Sequence, residues 1–250
     1  MNYDFTYSHY REILENALKA GYQITSFHDS SPVDESKKVL YLRHDVDGNL
    51  TKALTMAKIE SEMGISATYF LLLNSPLYNL LETRSLTYIQ EIKSLGHWLG
   101  LHIDPTMCAE MRLDSVSQLV EVLLDHFEAM IPIERVVSFH RPSPEVLNKE
   151  FPQFTSTYEP RFFSQIKYIS DSRRIWREGD PCKFLKEVRF DQIQLLVHPI
   201  WWGDEDDLRT LGESVLQERL KEVREYLATN ITPFKDVLYE KRRCNNDQGE

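Results

Sequence analysis

The chain has 250 residues, of which 42% are apolar, 11% aromatic and 27% charged. That is the composition of a globular protein with a sizeable core, and it excludes collagen-like, disordered and disulfide-scaffold chains. With 39 acidic against 29 basic residues the net charge is −10, which repels a phosphate backbone and argues against nucleic acid as a general partner.

Cys108, Cys182 and Cys244 are odd in number, far apart and without a Cys-x-x-Cys pair, which fits reduced thiols in a cytoplasm better than a disulfide framework. Met1 to Leu14 is broken by Asp4, Arg11 and Glu12 and has no apolar core of signal-peptide length. The most apolar stretches, 67–73 and 193–202, fall well short of the about 20 residues that span a bilayer. A soluble, cytoplasmic protein without membrane insertion is expected.

In chain order, Tyr10, Ile13, Leu14, Ala17 and Leu18 repeat at helical spacing and Gly21 ends the run. His28 to Lys38, rich in Ser, Asp and Pro, reads as a loop leading into a short strand at 39–42. A helix at 51–63, a strand at 67–73, a helix at 86–95, a strand at 98–102, a helix at 116–130 and a strand at 136–139 follow. Pro144 to Glu150 reads as helical, 167–169 and 193–197 as strands, and 214–227 as an amphipathic helix. Strand and helix in alternation predict a parallel sheet, either open and doubly wound or closed as a barrel. With no linker in the chain, the expected organisation is an N-terminal helix and loop at 1–38, one barrel unit at 39–239 and a polar tail at 240–250.

Parallel α/β folds gather chemistry at the carboxyl ends of their strands. Here the apolar runs end in Arg43-His44-Asp45-Val46-Asp47-Gly48, His102-Ile103-Asp104, His140-Arg141-Pro142, Asp171-Ser172 and His198-Pro199. Asp45 and Asp47, two apart on an extended strand, point the same way. Two carboxylates that close repel unless a cation joins them, so the pair suggests a metal ligand beside a general base. His102 adds an imidazole, the ligand type that favours zinc over magnesium, and His140 and Asp104 are further candidates. Arg141 is placed to hold a carboxylate or stabilise negative charge. His198 suits a general acid beside an aromatic wall of Trp201 and Trp202.

From about Val39 to Trp202 these ordered residues resemble the polysaccharide deacetylase family, the NodB-homology carbohydrate esterases. Asp45-Val46-Asp47-Gly48 looks like its first motif with one residue inserted, 64–70 resembles its Gly-x-x-Ala-Thr-Phe-Phe strand, and 96–102 the stretch leading to its His-x-x-x-His motif. Arg141-Pro142, Asp171 with Trp176, and Leu196-Val197-His198 resemble the later motifs. The resemblance implies an α/β chain folded as a single-domain, distorted (β/α)7 TIM-like barrel with an extra N-terminal helix. It also implies zinc-dependent removal of an N-acetyl group from a carbohydrate, in a branch associated with surface-polysaccharide synthesis. Asp45 would be the base, oriented by Arg141; His198 the acid, with Asp171 beside it; and Asp47, His102 and His140 the metal ligands. Asp104, Trp176, Trp201 and Trp202 would contact the sugar.

Thr106 stands where the second motif His belongs, which leaves His140 or Asp104 as third ligand, or a weakened or lost site. Two other readings stay open. One is an inactive barrel that binds a glycan. The other is a haloacid dehalogenase-like phosphatase, whose Asp-x-Asp-Gly motif Asp45 to Gly48 also resembles. That family expects Thr or Ser where Asn49 stands and an Asp where Leu208 stands, and it gives His102, Arg141 and His198 no task.

Overall fold

The computed structural model describes residues 4–27, 37–231 and 233–240. Most of the expected loop at 28–38, and the expected tail from residue 241 on, with Cys244, lie outside the described residues. The chain divides into two compact units, residues 1–206 and residues 207–250.

The first unit opens with α1 (Tyr7–Lys19), started by the Thr6 hydroxyl, which accepts from the His9 backbone N–H, and buried along Tyr10, Ile13, Leu14 and Ala17. A short strand, β1 (Gln23–Thr25), precedes β2 (Val39–Val46), α2 (Leu50–Glu62), β3 (Thr68–Leu72), α3 (Thr83–Ser94) and β4 (Trp98–Ile103). Next come α4 (Met107–Glu110), α5 (Val116–Phe127), β5 (Val136–Phe139), β6 (Thr155–Ser156), α6 (Pro160–Phe163), β7 (Lys167–Ser170), α7 (Pro181–Lys186) and β8 (Gln192–Val197). The strands form one all-parallel sheet in the order β6-β5-β4-β3-β2-β8-β7, with β1 added to the first half of β2.

This sheet is curled. Neighbouring strands are about 4.8 Å apart, so β2 and β5, three places from one another, would be about 14 Å apart in a flat sheet. Yet the Ser138 hydroxyl on β5 donates to Asp45 Oδ1 on β2 at 3.0 Å. Seven parallel strands curled in this way are consistent with a distorted (β/α)7 barrel.

All eight residues of β2 are buried, as a strand covered on both faces must be. Leu40, Leu42 and Val46 join the larger core beneath the helices. On the other face Val39 and Tyr41 join Phe27, Phe70, Val136 and Phe162 in a separate apolar plug, and above it Arg43 and Asp45 form a buried pair. Gly100 on β4 is needed for this plug: a Cβ there would lie 2.5 Å from the Val136 carbonyl and 2.8 Å from the Phe70 ring.

One expectation is corrected. Residues 144–148 form turns, not a helix, because Asn148 adopts a left-handed φ of 55° and its N–H goes to the Tyr158 carbonyl instead of to a helical turn. The second unit holds α8 (Leu208–Asn230) and α9 (Pro233–Glu240). Asp207 caps α8 by accepting from the Arg209 and Thr210 N–H groups. In α8 only Leu211 and Ala228 are buried. No helix among the described residues is long and apolar enough to cross a membrane.

Candidate metal and catalytic site

The carboxyl end of β2 is fixed by the segment after β3. Tyr78 donates its hydroxyl to the Val46 carbonyl at 2.8 Å and Ser75 donates to the Asp47 carbonyl at 2.7 Å. Gly48 lets that segment close in, since a Cβ would lie 2.5 Å from a Leu77 methyl. Asn49 then caps α2, its side chain accepting from the Lys52 N–H. Asp47 is thereby held at the mouth of the sheet.

Opposite it, His102 ends the apolar run of β4, and His140 follows β5 with its N–H on the Ile103 carbonyl at 2.8 Å. Asp47 Oδ1 lies 3.2 Å from His102 Nε2 and 3.5 Å from His140 Nδ1, and the two ring nitrogens are 3.2 Å apart. Burial alone would raise the Asp47 carboxyl; the two imidazoles more than reverse this and hold it well below the usual carboxylate range.

Ser138 sets the tautomer of His102. Its hydroxyl has one hydrogen, given to Asp45 Oδ1, so toward His102 Nδ1, its other close partner, it offers only lone pairs. In the neutral ring this arrangement puts the proton on Nδ1 and leaves the Nε2 lone pair for a cation. Asp47 Oδ1 is itself buried without a hydrogen bond of good geometry. Two imidazole nitrogens and a carboxylate oxygen gathered in this way could hold a divalent cation.

Asp45 lies one layer deeper. Arg43 Nε and Nη2 donate to its two oxygens at 2.9 and 2.8 Å, while Nη1 reaches Gln194 and Nη2 also reaches the Tyr158 hydroxyl, each at 3.0 Å. Burial disfavours the Asp45 charge, but Arg43, with His102 and His198, lowers its pKa below the ordinary value. On the far side of β2, Asp171 follows β7 and holds His198, which follows β8. Its Oδ1 binds His198 Nδ1 at 2.5 Å, its Oδ2 accepts from the His198 N–H at 2.9 Å, and Trp202 Nε1 donates to Oδ2 at 3.0 Å. Burial lowers the His198 pKa, yet Asp171, then Asp45 and Asp47, raise it to about 9. His198 is thus an imidazolium at neutral pH, with Nδ1 committed to Asp171 and Nε2 left for a substrate.

The structure brings Asp45, Asp47, His102, His140, Asp171 and His198 to one end of the sheet. Three expectations are corrected. Arg141 is exposed, in a left-handed turn of φ 51°, and Arg43 takes the carboxylate-orienting task foreseen for it. Trp176 and Trp202 are fully buried against each other, Phe5 and Tyr10, so neither ring can stack on a sugar. Trp201 is half-buried. Asp104 is bound in its own turn, Oδ1 accepting from the Thr106 N–H at 3.0 Å and hydroxyl at 2.7 Å; Thr106 thereby serves the carboxylate that precedes it.

Arg43, Ser138 and Gln194 were missed as site residues. Arg43 had a signal, since it shares the side-chain parity of Asp45 and Asp47 along β2. Ser138 and Gln194 are ordinary polar residues within apolar strands, and only the curl of the sheet gives them partners. The same geometry disfavours the phosphatase reading, in which Asp45 would attack phosphorus, because both of its oxygens lie in the Arg43 fork.

No family model matches this chain, and no curated protein matches it. Among solved structures it is similar to a family 4 carbohydrate esterase from Bacillus anthracis, at 17% identity and a TM-score of 0.37 over 89% of this chain and 90% of that one.

Proposed function

We propose that the chain is a metal-dependent hydrolase that removes an N-acetyl group from a sugar or glycan precursor. The observation that carries the hydrolase reading is the convergence of Asp47 Oδ1, His102 Nε2 and His140 Nδ1, with Ser138 keeping the Nε2 lone pair free. The sequence resemblance supplies the N-acetylated sugar as substrate class. The free thiols of Cys108 and Cys182 fit a reducing cytoplasm, and with it a biosynthetic precursor as substrate.

Asp47, His102 and His140 would hold the cation, and their donor set favours zinc. A cation bound there polarises an acyl oxygen and makes a nearby water more acidic. Asp45, oriented by Arg43 and Ser138, takes the proton of the attacking water. Asp171 keeps the His198 imidazolium in place, and His198 Nε2 gives its proton to the departing amine. Held by three donors, Asp45 is fixed in position at the cost of basicity, and it gives up its charge while it holds the proton of the water.

The test is metal analysis after zinc reconstitution, followed by acetate release from N-acetylglucosamine oligomers. Wild type is expected to hold zinc at the strand ends and release acetate. D45N should keep that zinc and lose at least about 10²-fold in rate, whereas D47A should lose both. Loss of metal in D45N would exchange the roles of the two carboxylates. A wild-type chain that takes up no metal at Asp47, His102 and His140 would leave the inactive glycan-binding reading in its place.

A further inference from the structure

Away from the strand ends, α1 and α7 bring together a second group of ligand-type side chains that the proposed reaction does not use. His9 and Glu12 lie one turn apart on α1, and Cys182 is the second residue of α7, whose N-cap is Asp180. One donor atom each from His9, Glu12 and Cys182 lies within 4.8 Å of the other two.

The imidazole of His9 stands between two carboxylates, Nδ1 at 3.6 Å from Glu12 Oε2 and Nε2 at 3.5 Å from Asp180 Oδ1. Neither distance is that of a good hydrogen bond. Glu12 gives its other oxygen, Oε1, to Lys186 at 3.2 Å, which leaves Oε2 facing His9. Asp180 Oδ1 also accepts from the Cys182 N–H at 2.8 Å.

The Cys182 thiol is buried, and burial together with Asp180 pushes its pKa up to about 12. Asn16, one turn beyond Glu12 on α1, is only 7% exposed. Its Nδ2 is buried without a hydrogen-bond partner of good geometry, and its side chain lies against Cys182. An amide donor beside a sulfur would stabilise the charge of a metal-bound thiolate. Sulfur, imidazole nitrogen and carboxylate oxygen gathered between α1 and α7 form a donor set that suits zinc, whereas magnesium or calcium would be held by oxygen alone.

We propose that His9, Glu12 and Cys182, with Asp180 beside them, form a second site for a divalent metal of the zinc type, one that ties α1 to α7. Binding exchanges the S–H bond of Cys182 for a metal–sulfur bond and releases the proton to solvent. Nothing is oxidised or reduced, and Asn16 Nδ2 turns its N–H toward the new thiolate. The proposal does not rest on the function assigned to the strand-end site.

Cobalt(II) titration of the full chain tests it, because a cobalt-bound thiolate gives a near-ultraviolet charge-transfer band that imidazole and carboxylate ligands do not. Wild type is expected to develop the band, C182S to lack it, and H9Q, which keeps the thiol, to require about 10–100-fold more cobalt to reach it. H102Q, altered only at the strand-end site, should keep the band unchanged. Absence of the band in wild type overturns the proposal without recourse to any variant. So does its persistence in C182S, which would place the thiolate at another cysteine, or an H9Q titration matching wild type.

Discussion

Arg43 and Asp45, two residues apart on β2, are joined by two parallel hydrogen bonds of 2.9 and 2.8 Å with both side chains buried. The guanidinium fork is filled by a carboxylate from its own strand, and its remaining donors go to Gln194 and Tyr158. Removing one partner leaves the other charge buried and uncompensated, which costs about 3–5 kcal/mol. R43M is therefore expected to lose that much stability in urea unfolding and to raise the Asp45 pKa, read by carbonyl NMR. R43K should fail to restore either, because an ammonium cannot fill both sites of the fork.

The His198–Asp171 pair predicts a titration of definite direction. In metal-free protein the His198 ring should titrate near pH 9, as the Asp171 contact requires, and D171N should bring it down toward the ordinary imidazole value of about 6.5. The raised pKa stabilises the fold fully below the unfolded imidazole value, and this contribution fades as pH rises through about 9. Ring NMR of the two proteins, with a chelator present, checks both statements. A wild-type ring titrating at the ordinary value would mean that Asp171 does not hold the imidazolium.

Glu60 on α2 gives an opposite pH dependence. It is fully buried, with Oε1 at 2.7 Å from His44 Nε2 and bonded to the Tyr10 hydroxyl, and Oε2 accepting from Tyr69 at 2.8 Å. Burial opposes its charge, but His44, with His97 and Tyr10, lowers its pKa below the ordinary 4.5. A lowered pKa means stability present above 4.5 and lost as pH falls through the folded value. E60Q should cost about 3–5 kcal/mol at neutral pH. The gap to wild type should narrow in acid below 4.5, as measured by urea unfolding at the two conditions.

Gly100 supplies a prediction without charges. G100A places a methyl 2.5 Å from a backbone oxygen and 2.8 Å from Phe70, and such overpacking costs about 1–3 kcal/mol. The urea midpoint should fall accordingly. G100A/F70L should recover only part of the loss, because the Val136 carbonyl cannot be trimmed.

The strands and the strand-end polar residues were legible because a parallel sheet sends all its carboxyl ends to one side, so each apolar run pointed to what followed it. What the sequence concealed was contact across the curl. Nothing local distinguishes Ser138 from any other strand serine until β5 comes round to face β2. Trp176 and Trp202 looked available because the residues that cover them, Phe5 and Tyr10, are more than 160 positions away in the chain. The two-residue β6 carries too few residues to show any periodicity. Arg141 drew notice as the charged residue beside His140, although the parity of β2 already favoured Arg43.

One face of β2 carries the plug residues Val39 and Tyr41, the ion pair of Arg43 and Asp45, and Asp47 at the mouth, in alternate positions. A slip of this strand by one residue would turn all five toward the helices and bring His44 into the interior. The ligand trio can therefore assemble only after β2 has found its proper neighbours, and a metal captured there would act as a proofreader of strand pairing. Its uptake during refolding would mark the moment at which the sheet is correctly aligned.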